Sequence, residues 1–217
     1  YGIPASNPFA SDNDPATLGE IYAYGTRNPQ RLFWDSRNRN MFMSDIGQNT
    51  VEEISPVTAG ANLGWNIWEG SFTFVSGRPG GVNVTDPRKD PKVTYPIVEW
   101  GQIDPLLQAN SAASGLVVYR GTQIPQLANL VILTDMPSGE IFYVNADKLP
   151  SGGQDPIRRI LLNSNGSAKR MLDVIQEKNT AQGKTPATRS DLRLSLGPDN
   201  QVFLLNKGDG TIRVLTP

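Results

Sequence analysis

"RLFWDSRNRNMFMSDIGQNTVEEISPV", residues 31–57, decides the fold. It opens on an apolar run, breaks at a polar turn, and resumes from Asn40 as "NMFMSD". It breaks again at a Gly-Gln-Asn tip and closes on a third run. The pattern returns in "GLVVYRGTQIPQLANLVILTDMPSGEIFYV" (115–144) and in "DLRLSLGPDNQVFLLNKGDGTIRVL" (191–215). The middle runs "NMFMSD", "NLVILTD" and "NQVFLLN" line up with one another. A further run follows each of the first two units, in "NLGWNIWEG" (62–70) and "IRRILLN" (157–163).

Short apolar or alternating runs bounded by Gly, Asn, Asp and Pro are strands. A repeated four-stranded meander is the blade of a β-propeller. The chain therefore reads as all-β and as a single propeller-type domain over 1–217. Its four-stranded antiparallel blades, about three of them, fall near 31–70, 115–163 and 191–217, with a long inserted loop over 71–110. A three-repeat β-sandwich is the alternative topology. Either arrangement leaves open strand edges, which must be covered, and a missing half is the simplest cover. One stretch, "AKRMLDVIQEKN" (168–179), suits a short helix or a strand running into a loop.

Composition removes whole classes of chemistry. Of 217 residues 38% are hydrophobic and 19% charged, a globular balance, and a net charge of −1 offers no basic field for a phosphate backbone. Nucleic acid is excluded as an expected partner. No apolar run approaches the length of a bilayer span. Cysteine and histidine are both absent, so there is no disulfide, no thiolate, no imidazole base and no His-ligated zinc. Any bound metal must be a hard, oxygen-liking ion. The opening "YGIPASNPFASDNDP" reads as a loop entered in mid-protein, so the expectation is a C-terminal portion of something longer, or a matured product.

The stretches "IYAYGTRNPQRLFWD", "MFMSDIGQNTVEEI", "GANLGWNIWEG", "VVYRG", "DMPSGEIFYVNAD" and "DLRLSLGPDNQVFLLNKGDGTIRVL" together resemble the glucose/sorbosone dehydrogenase family. These are quinoproteins that oxidise sugars with pyrroloquinoline quinone (PQQ) and calcium on a six-bladed propeller. The resemblance implies that this chain is the C-terminal half of such a ring, with sugar as substrate and a secreted or periplasmic location. It also implies a catalytic histidine in an N-terminal half or partner chain that completes the propeller. No catalytic residue is expected here, and the chain alone is expected to be inactive.

The resemblance further implies that Arg27 and Asn28 contact the cofactor. Pro29 restricts Asn28 to extended backbone, so side chains are aimed off the strand end. Arg27 offers a planar fork of donors suited to a carboxylate, and Asn28 a donor amide. The structural alternative is a salt bridge from Arg27 to a neighbour such as Asp45, with Asn28 capping a turn. Gly47 and Gln48 match the positions whose backbone carbonyls hold the family's catalytic calcium. Gly47 is expected to supply unusual backbone angles. Glu52 and Glu53 read either as ligands of a second, structural cation or as solvated charges on a turn. Trp65 and Trp68 read as packing between blades.

Departures count against a full cofactor site. Arg189 and Arg193 lie near, but shifted from, the places where relatives put basic residues on the quinone. Gln102 stands where relatives can carry histidine. A rival expectation is therefore a propeller that binds a partner without catalysis. "NVT" at Asn83 and "NGS" at Asn165 fit the glycosylation triplet. "GRPGG" (77–81) reads as a flexible loop, and Asp135 and Glu99 as turn and edge residues.

Overall fold

The computed structural model describes residues 1–77, 80–107 and 110–217. The sequence reading of 77–81 falls partly on Arg78 and Pro79, which lie outside the described residues, as do Gln108 and Ala109 in the stretch read as a long loop.

The first sheet starts with β1 (Pro29–Trp34), β2 (Met41–Asp45) and β3 (Val51–Val57). Along β1 the pleat turns Leu32 and Trp34 to solvent while Phe33 packs inward. Every residue of β2 and all but one of β3 are buried, because both faces of these strands are covered. After β3 the chain leaves to form a small separate sheet of β4 (Trp68–Glu69), β5 (Phe72–Val75) and β6 (Gly81–Asn83). It then returns as β7 (Val98–Gly101), giving the order β1-β2-β3-β7.

This corrects the expected outer strand at 62–70. That segment coils through Gly64 and Gly70, both at positive φ, and contributes only the two-residue β4. The outer strand instead comes from the stretch read as inserted loop. The physical reason is the core: Val98 and Trp100 of β7 reach the same apolar cluster as Phe42 and Ile54.

The second sheet runs β8 (Ala113–Tyr119), β9 (Leu130–Asp135), β10 (Ile141–Asn145) and β11 (Arg158–Ile160) in simple meander order. The strand expected within 157–163 is β11. The inner strands β8 and β9 are buried on both faces, and their residues alternate between two cores. Leu116, Val118, Val131 and Leu133 join the cluster shared with the first sheet. Val117, Tyr119, Ile132 and Ile141 join the cluster shared with the third. A period-2 strand buried on both sides needs such an uninterrupted apolar run.

A short hairpin, β12 (Leu162–Ser164) and β13 (Ser167–Lys169), leads into helix α1 (Met171–Ala181). The helical option for 168–179 is the one realised. Asp173 closes its first turn by accepting from Arg170 N at 2.9 Å, and Met171, Leu172 and Ile175 are buried. The third sheet has β14 (Leu192–Leu196), β15 (Val202–Asn206) and β16 (Thr211–Val214). The first strands of the three sheets, β1, β8 and β14, neighbour one another, which is the arrangement of propeller blades about an axis. Apolar side chains are exposed on both flanking blades: Leu32 and Trp34 on β1, Ile212 and Val214 on β16.

Candidate functional site

Three hydrogen-bonded links gather the starts of the inner strands at one end. Asp45, last residue of β2, accepts from Arg27 N at 2.9 Å and Asn28 N at 2.6 Å, just ahead of β1. Glu52 accepts from Ala113 N, the first residue of β8, at 2.6 Å. Ser114 Oγ donates to Leu192 O at the start of β14 at 2.9 Å.

Arg27 and Asp45 are thus joined, but not by the salt bridge considered from sequence. Asp45 holds the backbone of the Arg-Asn wedge, leaving both side chains to other tasks. The Arg27 guanidinium donates from Nε to Gln48 Oε1 at 2.7 Å and from Nη1 to Ile46 O at 3.0 Å, and its carbon lies 5.9 Å from the Trp65 ring centroid. Asn28 is exposed, with Oδ1 accepting from Gln30 Nε2 at 2.9 Å.

The Gly47 loop sits directly beneath. Gly47 is not at positive φ, so the expectation of unusual angles fails; what glycine supplies is space. A Cβ there would collide with Val51 O and crowd Glu69 Oε1. Gly47 O accepts from Gln102 Nε2 at 3.2 Å, and the same amide donates to Glu52 Oε1 at 2.6 Å. The structure therefore brings together Arg27 with Gln48, and Gly47 with Glu52 through Gln102.

Glu52 and Glu53 are separated. Both lie within β3 and are buried, not on a solvated turn. Adjacent strand residues face opposite sides of the sheet, so the two cannot ligate one ion. Glu52 faces Gln102 and Ala113. Glu53 faces the other side, where it pairs in register with Asp45 on β2 and Glu99 on β7. All three of these directly opposed carboxylates are buried. Glu99 is held by Ser71 N at 2.6 Å and Gly153 N at 3.2 Å, so it is a structural edge residue as the sequence suggested.

Glu69 was not legible from sequence. Its Oε1 accepts from Asn49 N, Thr50 N and Val51 N at 3.0, 2.7 and 2.9 Å, while its buried Oε2 has no partner among the described residues. Asp45, Glu53 and Glu69 line a cavity of about 10 Å³ with Arg27, Gly47, Trp65 and Trp68, room for one water or ion. Among the described residues, no group of three or more His, Cys, Asp or Glu is arranged to hold a metal. The two tryptophans pack here on Phe74 and Tyr95, not between blades.

Burial dominates the titration of these acids. It lifts Glu52 from 4.5 to about 7, with Asp135 and Glu69 adding repulsion against the pull of Ala113 N and Gln102. Glu53 is driven well above the usual range by burial, then by Asp45 and Glu99. Asp45 is also raised by burial, against the Arg27 and Asn28 amides. Between the two Glu52 values the folded state keeps a proton that the unfolded chain has released. Stability from this group is therefore full below about pH 4.5 and is lost as pH rises through about 7, by about 3 kcal/mol in total. Urea titrations between pH 4.5 and 8 are expected to show this fall, and Glu52→Gln is expected to flatten it.

Residues 2–183 match the family model described as Glucose / Sorbosone dehydrogenase. The chain belongs to the glucose/sorbosone dehydrogenase family. The HIPL2 protein of Arabidopsis thaliana is 35% identical over 148 residues, covering 67% of this chain and 20% of that protein. A solved glucose dehydrogenase superimposes with a TM-score of 0.64 at 18% identity, over 99% of this chain and 51% of its own. The PQQ-bound form of an aldose sugar dehydrogenase from Streptomyces coelicolor gives 0.56 at 16% identity, over 98% and 48%. The chain thus spans about half the length of those solved relatives and a fifth of the plant one. The likeness to the solved structures supports its propeller-type fold. No helix among its described residues is long and apolar enough to cross a membrane.

Proposed function

We propose that this chain is the cofactor-bearing half of a PQQ- and calcium-dependent sugar dehydrogenase. The observation that carries the reading is the Arg27-Asn28 wedge, clamped by Asp45 and seated on the Gly47 loop. Arg27 keeps Nη2 without a partner among the described residues, and the exposed Asn28 amide is available beside it. These donors fit a quinone carboxylate. The Gly47 and Gln48 carbonyls are the proposed calcium ligands. Gln102 would have to release Gly47 O, or turn its amide oxygen toward the ion. The orphaned Glu69 Oε2 and the small acid-lined cavity favour a second hard cation beside Glu53, with Glu52 excluded from it.

When bound, the quinone supplies a hydride acceptor whose carbonyl the metal polarises. This chain's part is to orient that group through Arg27 and Asn28. The proton of the sugar hydroxyl needs a base that a histidine-free chain does not offer as imidazole, so we assign it to blades beyond these residues. The exposed faces at Leu32/Trp34 and Ile212/Val214 are where such blades, in the same or another chain, would pack. We also assign the protein to a secreted or periplasmic setting, where this chemistry is expected.

A second reading is a non-catalytic propeller that binds a partner. It is favoured by the engagement of two Arg27 nitrogens with the protein's own loop. Reconstitution of the complete protein with PQQ and calcium, assayed on aldoses with a dye acceptor, separates the two. Quinone-dependent oxidation is expected, with none from residues 1–217 alone. Arg27→Ala should weaken quinone binding by roughly thirtyfold to a hundredfold, the worth of a charge-assisted pair. Failure of the complete protein to bind quinone in calcium would leave the binding-module reading.

A further inference from the structure

The triplet Asn83-Val84-Thr85 starts at the last residue of β6, and all three of its residues are exposed. Asn83 Oδ1 accepts from Thr85 N at 2.9 Å, which makes an Asx turn. That bond turns Oδ1 back to the chain and leaves Nδ2 facing away from it. Neither Nδ2 nor the Thr85 hydroxyl has a hydrogen-bond partner among the described residues. An aspartate would cap this turn equally well, so the cap alone does not require an amide. The other such triplet, Asn165-Gly166-Ser167, has a sufficient structural reason. Ser164 pairs with Ser167, and Asn165 and Gly166 form the tip between them at φ of 53° and 77°. Asn-Gly is what a two-residue hairpin tip in the left-handed region demands.

β6 is also an open edge. It ends the small sheet β4-β5-β6, and among the described residues no strand pairs with its outer side. Val75 on β5 is 46% exposed and Val84, just past β6, is 67% exposed. Such an edge is a template for pairing with another chain unless something covers it. The strand itself, Gly81-Val82-Asn83, carries neither charge nor proline to do so. We propose that Asn83 is an N-glycosylation site whose oligosaccharide covers this edge. Nδ2 forms a bond to the anomeric carbon of an oligosaccharide carried on a lipid diphosphate. The anomeric bond to the phosphate oxygen breaks, the lipid diphosphate leaves, and the amide gives up one proton. The donor belongs to a secretory compartment, so the proposal rests on the secreted setting assigned above and not on the quinone reading.

The test uses the complete protein purified from the cells that make it. Peptide N-glycosidase in heavy-oxygen water converts a glycosylated asparagine into a labelled aspartate, which peptide mass spectrometry locates. Label is expected at position 83. Thr85→Ala keeps Asn83 but removes the hydroxyl of the triplet, and should abolish the label, while Thr85→Ser should retain part of it. The enzymatically deglycosylated protein should form larger particles by light scattering at high concentration, with its unfolding midpoint unchanged. Unlabelled Asn83 in secreted protein overturns the proposal and leaves the setting intact. Recovery of the protein from the cytosol alone defeats the setting and the proposal with it. Equal particle sizes with and without the glycan overturn the edge-covering role. None of these results bears on quinone binding, which the reconstitution above tests separately.

Discussion

Asp135→Ala is expected to lower stability by about 3–5 kcal/mol, the larger part of the margin of many domains. Asp135 ends β9 with no exposure, and its carboxylate holds two segments at once. Oδ1 accepts from Ser111 Oγ at 2.5 Å and Ala112 N at 2.8 Å. Oδ2 accepts from Ser138 N at 3.0 Å and from the Ser138 hydroxyl. Alanine would leave two buried backbone donors unsatisfied, each costing about 1–3 kcal/mol. Trp100 Nε1 donates to Ser111 Oγ at 2.8 Å, so the loss should also be seen in tryptophan emission. In urea the midpoint should drop with the slope unchanged, and the melting temperature should fall by roughly 10 °C for a chain of this size. Asn at this position keeps one acceptor oxygen and should cost about half as much. A midpoint within error of the unsubstituted protein would mean that the carboxylate does not hold these segments. The start of β8 would then need another anchor beside Glu52 and the Gly47 loop.

Arg120→Ala should be of similar size, at the other end of the same strand. Arg120 follows β8 and reaches the turn after β1. It donates from Nε to Asp35 Oδ1 at 3.0 Å and from Nη2 to Oδ2 at 2.6 Å, while Nη1 bonds Asn129 Oδ1 at 2.8 Å and Asp147 Oδ1 at 2.6 Å. Its side chain is 6% exposed and that of Asp35 1%. Removing one partner of a buried pair leaves an uncompensated charge, at about 3–5 kcal/mol. The pH dependence is opposite to that of Glu52. Burial raises the Asp35 carboxyl, but the Arg120 and Arg37 hydrogen bonds more than reverse it, so its folded value lies below 3.8. Its stabilisation is present above the unfolded value and is lost as pH falls through the folded one. The cost of Arg120→Ala should accordingly be largest at neutral pH and shrink in acid, as urea midpoints at pH 3 and pH 7 would show. An equal cost at both would mean that Arg120 acts by packing and not by charge.

The site residues show how far one sequence reaches. Arg27, Asn28, Gly47 and Gln48 were singled out through the family resemblance of a Pro-restricted turn and a glycine-centred loop, and their cofactor and calcium roles are proposed on that basis. Proximity of the two segments was not legible, since Asp45 joins them across strands. The pairing of Glu52 with Glu53 failed for a related reason. Adjacent letters suggest one site, but strand alternation puts them on opposite faces. Glu69 and Gln102 act through partners distant in sequence, so no spacing rule could show what either one holds, although Gln102 was noted as standing where relatives can carry histidine.

By itself the sequence determined the all-β class, the three repeated meanders, the second sheet with its outer strand, and the absence of imidazole and thiol chemistry. These follow from period-2 runs, turn residues and composition, all of which are local. Tertiary structure alone decided that β7 rather than 62–70 closes the first sheet, that six acidic side chains are buried near the strand starts, and which of them share a face. Those outcomes depend on which apolar faces meet and which backbone amides a carboxylate can reach once the sheets pack, and such non-local contacts leave no periodic trace in the chain.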